Sequence, residues 1–543
     1  MKASALLTLT PGDAFSHHSE CRGGQGQVET NQFHTATNLS RRCAVPITLA
    51  LVLFGLLCWT PLEAATYYVD FVGGSDSNAG TSTSTAWKRI KGMTGVTGTA
   101  ASANIAGGDA IVFKGGVTWT KSWPWVVVGG SSSMVTYTTD RTWYTGSAWI
   151  QPVFDQEAAG TRYNVNAMMS KAGSGWVTIN DLKFYRCGVL GVITQAACMY
   201  FIRTHNMVIT NNTFDSRTWF AIFFNFDAPG TYGNFTIRGN DFSKTTSAVW
   251  FASSAAGAHE SNLTYTNNTI HDFAPMLGCS NSQGSCAGGG AHGDGFLHYY
   301  SVPYEDATQY LDGFTFCNNR SYGDFTRGMG SDHNEDMTAF LYQEGAIKNG
   351  LICNNEIGWF PYKNSAGASY IFEAVIDIRD HGNPSNGTMY IVNNTIAGDK
   401  VSNSGGSAIM VEGPGRGSVV IKNNIFMTGT YCLWSDTSIP INVTTDYNLR
   451  WCPNGNLTFT ADGGHSIGSM VDPLFVANPG NLQITASSPA IGAGTNLSGL
   501  GFSVLNSARN GVARGTRWDI GAYQFSTSTD TLSPAIPQGL RVQ

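Results

Sequence analysis

From residue 207 onward one short pattern of apolar and polar positions recurs: MVITNNTF, FTIRGNDF, LTYTNNTI, GFTFCNNR, GLICNNEI, MYIVNNTI and VVIKNNIF. Each segment alternates apolar and polar residues, meets an Asn at a fixed place and usually resumes the alternation, which predicts short strands with one buried face. The Asn positions are 212, 240, 268, 319, 355, 394 and 424. Their spacing lies mostly near ~30 residues, one turn of a solenoid with loops of variable length. Every repeat also holds a second alternating segment: FAIFF at 220, AVWFA at 248, GFLHY at 295, AFLYQ at 339, AVIDI at 374 and AIMVE at 408. No stretch of this region has helical periodicity or caps. Hairpin dipeptides rarely fall between paired strands, so equivalent strands of successive turns are expected to stack in parallel. Asn suits the bend because it tolerates left-handed backbone angles and its amide can bond the Asn one coil away.

These segments resemble the right-handed parallel β-helix superfamily, the pectate-lyase-like proteins. TYYVDFVGGSDSNAGTSTSTAWKRI with GDAIVFKGG is similar to the opening segment of exported bacterial β-helix proteins. TDYNLRW, VDPLF, SSPAIGAG and DIGAYQF are similar to closing coils of the choice-of-anchor type, and SPAIPQGLRV resembles the first strand of a fibronectin type III module. The resemblance implies an all-β chain, a right-handed parallel β-helix solenoid over residues 66–525. An N-terminal extension and secretory signal would occupy 1–65 and a tail 526–543. It implies no single reaction, because the scaffold hosts lyases, hydrolases, epimerases, phage spikes and adhesins.

Composition narrows the setting. Charged residues are 13% of the chain against a usual ~25%, so neutral hydrogen-bonding groups keep the surface wet. A net charge of −6 without basic clusters argues against nucleic-acid binding. Arg41 and Arg42 precede AVPITLALVLFGLLCW and PLEAAT, the order of a signal cleaved near Ala64 or Ala65. The apolar run is shorter than the ~20 residues of a spanning helix. A secreted or cell-surface protein, free of the membrane after cleavage, is expected, with its oligomeric state open. Of 11 cysteines, Cys21, Cys43 and Cys58 precede the cut, leaving eight, which favours disulfides in an exported chain. Short separations suggest Cys187 with Cys198, Cys279 with Cys286 and Cys432 with Cys452. Cys317 and Cys353 both stand just before the Asn bend, so stacking puts them one coil apart, ~4.8 Å, either as a disulfide or as two free thiols.

A β-helix fills its narrow interior with apolar side chains, so chemistry belongs on outward columns. With Ile376 and Ile378 inward, Asp377 and Arg379 face out, and Glu373 and His381 stand at the rims. The preceding coil would present Phe340, Tyr342 and Glu344, the one before it His292, Asp294, Phe296 and His298, and the next Met410 and Glu412. Asp377, Arg379, Glu344, Asp294, His298 and His292 are the catalytic candidates. Tyr342, His381, Glu412, Phe340 and Trp250, with Phe223, are candidates for holding sugar. A pair of carboxyls ~5 Å apart would serve retaining and a pair ~6.5–9.5 Å apart inverting hydrolysis, for which Glu344 with Asp377 and Asp294 with Asp377 are the respective candidates. A lyase would use Arg379 to neutralise a uronate and His298, His292 or Tyr342 as base; the lysine expected of lyases of this fold has no match. SDHNEDM, with Asp332, Glu335 and Asp336, and Asp76 with Asn78 are candidate Ca²⁺ ligands. A secreted enzyme cleaving a polysaccharide is the first reading. A non-catalytic adhesin or glycan-binding protein is the alternative.

Overall fold

The computed structural model describes residues 64–526 apart from 121–123, 157–165, 188–196, 273–292, 301–308, 323–336, 345, 359–373, 380–386, 399–406, 413–416, 429–430, 436–441, 454–461 and 479. One coil shows the plan. Met207–Thr210 lies in a first, 12-stranded sheet; Asn211 and Asn212 make a bend; then Thr213–Phe226 runs round a corner. Its start pairs with Asp241–Ser243 on a second side and its end with Val249–Ser253 on a third, the two sides forming one 19-stranded sheet. Every pairing in these two sheets is parallel, as among Val177–Asn180, Met207–Thr210 and Gly230–Arg238. The chain is therefore a right-handed parallel β-helix. Among the named strand pairs only Phe475–Ala477 with Asn481–Ile484 is antiparallel.

The bend assigns two neighbouring residues separate tasks. Asn211, Asn267, Asn318, Asn354, Asn393 and Asn423 take left-handed backbone angles, φ 53–59°, and Gly239 stands in the same place at 68°. The residue after each enters the interior. Asn212, Asn240, Asn268, Asn319, Asn355, Asn394, Asn424 and Asn448 form a buried ladder, each donating from Nδ2 to the Oδ1 of the next at 2.9–3.2 Å. The same Oδ1 accepts the backbone N–H of the preceding rung, for example Asn319 N to Asn355 Oδ1 at 2.9 Å. The second Nδ2 hydrogen goes to a first-sheet carbonyl, as from Asn355 to Phe316 O at 2.9 Å. A single Asn thus does not supply both the turn and the ladder. A shorter ladder of Asn206, Asn234 and Asn262 marks the bend entering the first sheet, at 2.9 and 3.1 Å.

Inside, like side chains lie over like. Phe154, Phe184, Phe214 and Phe242 stack at 5.5, 5.3 and 4.9 Å between centroids, each such pair adding about 0.5–1.5 kcal/mol beyond its buried area. Cys187–Cys198, Cys317–Cys353 and Cys432–Cys452 are disulfides, with Cα separations of 5.1, 4.5 and 5.6 Å. Register places Cys317 opposite Cys353, and the two are bonded and not free thiols. Cys279 and Cys286 lie outside the described residues.

At the N-terminal end, Asp76 is buried, accepts the N–H groups of Arg89 and Thr97 at 2.7 and 3.2 Å, and pairs with the Arg89 guanidinium at 3.3 Å. Asn78 donates to Ala86 O. Their polar atoms tie down the opening loop, which corrects the Ca²⁺ expectation for this pair. TDYN does continue the coils, with Asn448 as the last rung of the ladder. Residues 494–525 instead double back along the outside of the bend: Asn423 donates to Thr495 O, Arg514 to Asn354 Oδ1, and Tyr523 to Glu356. They cover the corner between first and second sides.

Candidate functional site

The third side carries the columns on which the candidates fall. Ile376 pairs with Leu341 and Leu341 with Phe296, all buried; Ile378 pairs with Gln343 and Gln343 with His298. These are inward columns, so the outward assignment of Phe296 and His298 is corrected. His298 is wholly buried, 3.3 Å from Glu260, which also receives the Ser253 hydroxyl. It is a core histidine inside a polar cluster. Phe340 is corrected as well: it packs against Phe316 in the interior, 5.6 Å between centroids. Its column of Cys198, Ala221, Ala248, Val375, Ala408 and Cys432 is buried beside that of Leu341. Two successive residues turn inward here because the backbone rounds a corner, which breaks the period of two.

The columns facing away from the core are then Ala197, Phe220, Ser247 and Asp294; Tyr200, Phe223, Trp250, Leu297, Asp377 and Met410, with the backbone of Tyr342 in register between Leu297 and Asp377; and Asn225, Ala252 and Tyr299, while the backbones of Glu344, Arg379 and Glu412 are in register with one another. Asp377 lies between inward Ile376 and Ile378 and faces away from the core, yet it is 0% exposed, as is Asp294, and Leu297 and Met410 are buried too. The expectation of a solvated Asp377 is corrected: alternation reports which way a side chain leaves the strand, not whether it reaches water. Register also revises both carboxyl pairs. Asp377 lies opposite Tyr342, and Glu344 opposite Arg379, so Glu344 and Asp377 are diagonal, ~8 Å apart at Cα. Asp294 pairs with Ala339, which puts it two rungs and three residues from Asp377, ~14 Å. Glu344 and Glu412 flank Arg379 in register. His292, His381, Glu373, Asp332, Glu335 and Asp336 lie outside the described residues, as do the side chains of Tyr342, Glu344, Arg379 and Glu412.

Upstream of the acids the same face is aromatic. Tyr200, Phe223 and Trp250 are half-buried successive members of one column, with centroids 5.2 and 5.8 Å apart, and Tyr299 stands edge-on to Trp250 at 6.1 Å. Phe220 backs them, 4.9 Å from Phe223 and 4.7 Å from Trp250. At the margin Asn225 donates to the Tyr200 hydroxyl at 3.0 Å.

A second polar strip went unread in the sequence. On the second side, outward Tyr185, Asp215, Ser243, His271 and Tyr322 form one column. Lys244 pairs with Asp215 at 3.0 Å. His271 lies between Asp241 and Asp272, at 3.1 and 2.8 Å, and stacks on Tyr322 at 5.2 Å. Burial alone would lower the imidazole pKa, but the bonds to Asp241 and Asp272 outweigh it and raise it from 6.5 to about 9. A raised pKa stabilises the fold fully below the unfolded value of 6.5 and loses that contribution as pH rises through 9. Because both carboxylates are part-exposed, the loss is about 1–2 kcal/mol. Denaturant unfolding of wild type and His271→Gln across this range should show their stability difference shrinking as pH rises. A His271 midpoint below 7 by NMR would contradict it.

The fold and this face define a parallel β-helix with an aromatic row on its third side. No family model matches the chain, and no curated protein matches it. Among solved structures it is similar to pectate lyase Pel9A, at 15% identity and TM-score 0.39, over 86% of this chain and 97% of that one. It is also similar to a rhamnogalacturonan lyase, at 11% and 0.28 over 76% and 91%. A third likeness is to the GH136 lacto-N-biosidase of Eubacterium ramulus, at 10% and 0.33 over 75% and 67%. All three TM-scores lie below 0.5, so no role or substrate is transferred from them.

Proposed function

We propose that this chain is an exported protein that binds a polysaccharide along the outward face of its third side and hydrolyses it at the acid-bearing coils. The observation that carries the reading is the half-buried row of Tyr200, Phe223 and Trp250 leading, in one outward column, through Leu297 and Tyr342 to Asp377. Sugar rings present flat C–H faces that aromatic rings accept, while their hydroxyls take hydrogen bonds at the margin. Glu344 and Glu412 stand two rungs apart across Arg379, ~9.6 Å at Cα, and inversion asks for their carboxyl groups to approach within ~6.5–9.5 Å. One, as the acid, gives its proton to the glycosidic oxygen as the C–O bond breaks. The other, as carboxylate, takes a proton from the water whose oxygen bonds to the anomeric carbon. Three disulfides agree with an oxidising compartment.

The second reading, a glycan-binding protein without turnover, is favoured by one observation: Asp377 and Asp294 are wholly enclosed. One assay separates the readings. The purified chain is incubated with neutral and uronate polysaccharides while reducing ends and ultraviolet absorbance are followed. New reducing ends without new absorbance are expected. Absorbance would mean elimination, and binding without either signal would leave the non-catalytic reading standing.

A further inference from the structure

The third-side segments ACMYFI at 197–202, FAIFFNF at 220–226 and SAVWFAS at 247–253 contain no Asp, Glu, Lys, Arg or His. They are stacked directly, Met199 over Ile222 over Val249 and Tyr200 over Phe223 over Trp250. The wall they form is thus uncharged over three rungs, ~10 Å between the outer strands. Among the described residues, Asp294, one rung beyond Ser247, and Glu260, which accepts the Ser253 hydroxyl, are wholly buried, while on the borders Arg203 meets Asp227 at 3.0 Å on one side and Lys244 meets Asp215 at 3.0 Å on the other.

We infer that this wall selects a neutral glycan and rejects polyuronates, an inference that rests on reading the third side as a glycan face. A polyuronate carries a carboxylate on each sugar. Laying such a chain over Phe223 and Trp250 would strip water from those charges with no cation among the described residues of the three strands to replace it, and an uncompensated charge in apolar surroundings is strongly disfavoured. A neutral chain offers only ring faces and hydroxyls. The rings meet the aromatic row, and the polar groups within reach are neutral ones, the Asn225 amide and the Tyr200 hydroxyl it bonds. Selection is therefore by absence of charge complementarity along the wall, and binding should be nearly indifferent to salt.

The test is calorimetric titration of the full chain with hexasaccharides of neutral β-glucan, mannan and xylan, and with hexagalacturonate in the presence and absence of calcium. At least one neutral hexasaccharide should bind, with affinity unchanged by added salt and about tenfold weaker in Trp250→Ala. Hexagalacturonate should bind more weakly than that ligand, with or without calcium. Should Trp250→Ala fail to fold, Phe223→Leu removes a ring while keeping an apolar side chain and should weaken the same ligand. Tighter binding of hexagalacturonate than of every neutral ligand would overturn the selectivity and leave the glycan face intact. No binding on either arm, or a dimer that Trp250→Ala dissociates, would overturn both.

Discussion

Asn355→Ala is expected to lower the stability of the middle coils by roughly 2–6 kcal/mol. Asn355 is wholly buried. Its Oδ1 accepts the backbone N–H and the Nδ2–H of Asn319, and its Nδ2 donates to Phe316 O and Asn394 Oδ1. Alanine removes all of these. Asn319 Nδ2 still reaches Tyr265 O, and Asn394 Oδ1 still receives the Asn355 backbone N–H. The Asn319 N–H and the Phe316 carbonyl lose their ladder partners, and each buried group so orphaned costs about 1–3 kcal/mol. The neighbouring position behaves differently. Asn267 bends the chain at φ 56°, and Gly239 occupies the equivalent place one coil earlier, so Asn267→Gly should change stability by less than ~1 kcal/mol. Chemical denaturation of both variants tests the division of labour. Equal effects would mean that the ladder is not what holds the coils in register.

The features legible in the sequence were those that each repeat states for itself. Seven Asn-centred segments carry the same order of strand, bend and strand, and the register of Cys317 with Cys353 follows from their shared place before the bend. What stayed hidden depends on how strands turn. Reading AFLYQ and GFLHYY by strict alternation presumes a straight backbone, whereas Phe340 and Leu341 both turn inward at a corner. That one extra inward residue reverses the assignments of Phe340 and His298. Asp377 lies past the corner, between Ile376 and Ile378, so the extra inward residue does not change the side on which it leaves the strand, but its burial does not follow from that side. The second-side strip was missed for another reason: Asp215, Ser243, His271 and Tyr322 come from four separate repeats and form no local motif. Each is nonetheless the third residue after a ladder Asn, so aligning the repeats on those asparagines would have placed them in one column.

Glu356→Gln should cost about 3–5 kcal/mol, and the loss should be confined to the doubled-back C-terminal segment. Glu356 is buried in register between Arg320 and Thr395. Its Oε2 accepts the Tyr523 hydroxyl and lies 3.2 Å from Arg320 Nε and 3.6 Å from Arg509 Nε. The two guanidinium contacts have the distance of ion pairs without hydrogen-bond alignment, so charge compensation outweighs bonding there. Burial, and then the charge of Glu356, hold the Tyr523 pKa well above 10, which keeps the phenol a donor through the neutral and mildly alkaline range. Glutamine preserves the volume and removes the negative charge that offsets two largely buried arginines. The doubling-back segment would then be released from the corner while the coils persist, because the Asn ladder does not pass through the Glu356 carboxylate. Hydrogen exchange should rise around Tyr523 and stay unchanged at Asn355. Adding Arg509→Gln should recover part of the loss, since it removes one of the cations left without an anion; a purely additive double variant would show that Glu356 acts by packing and not by charge.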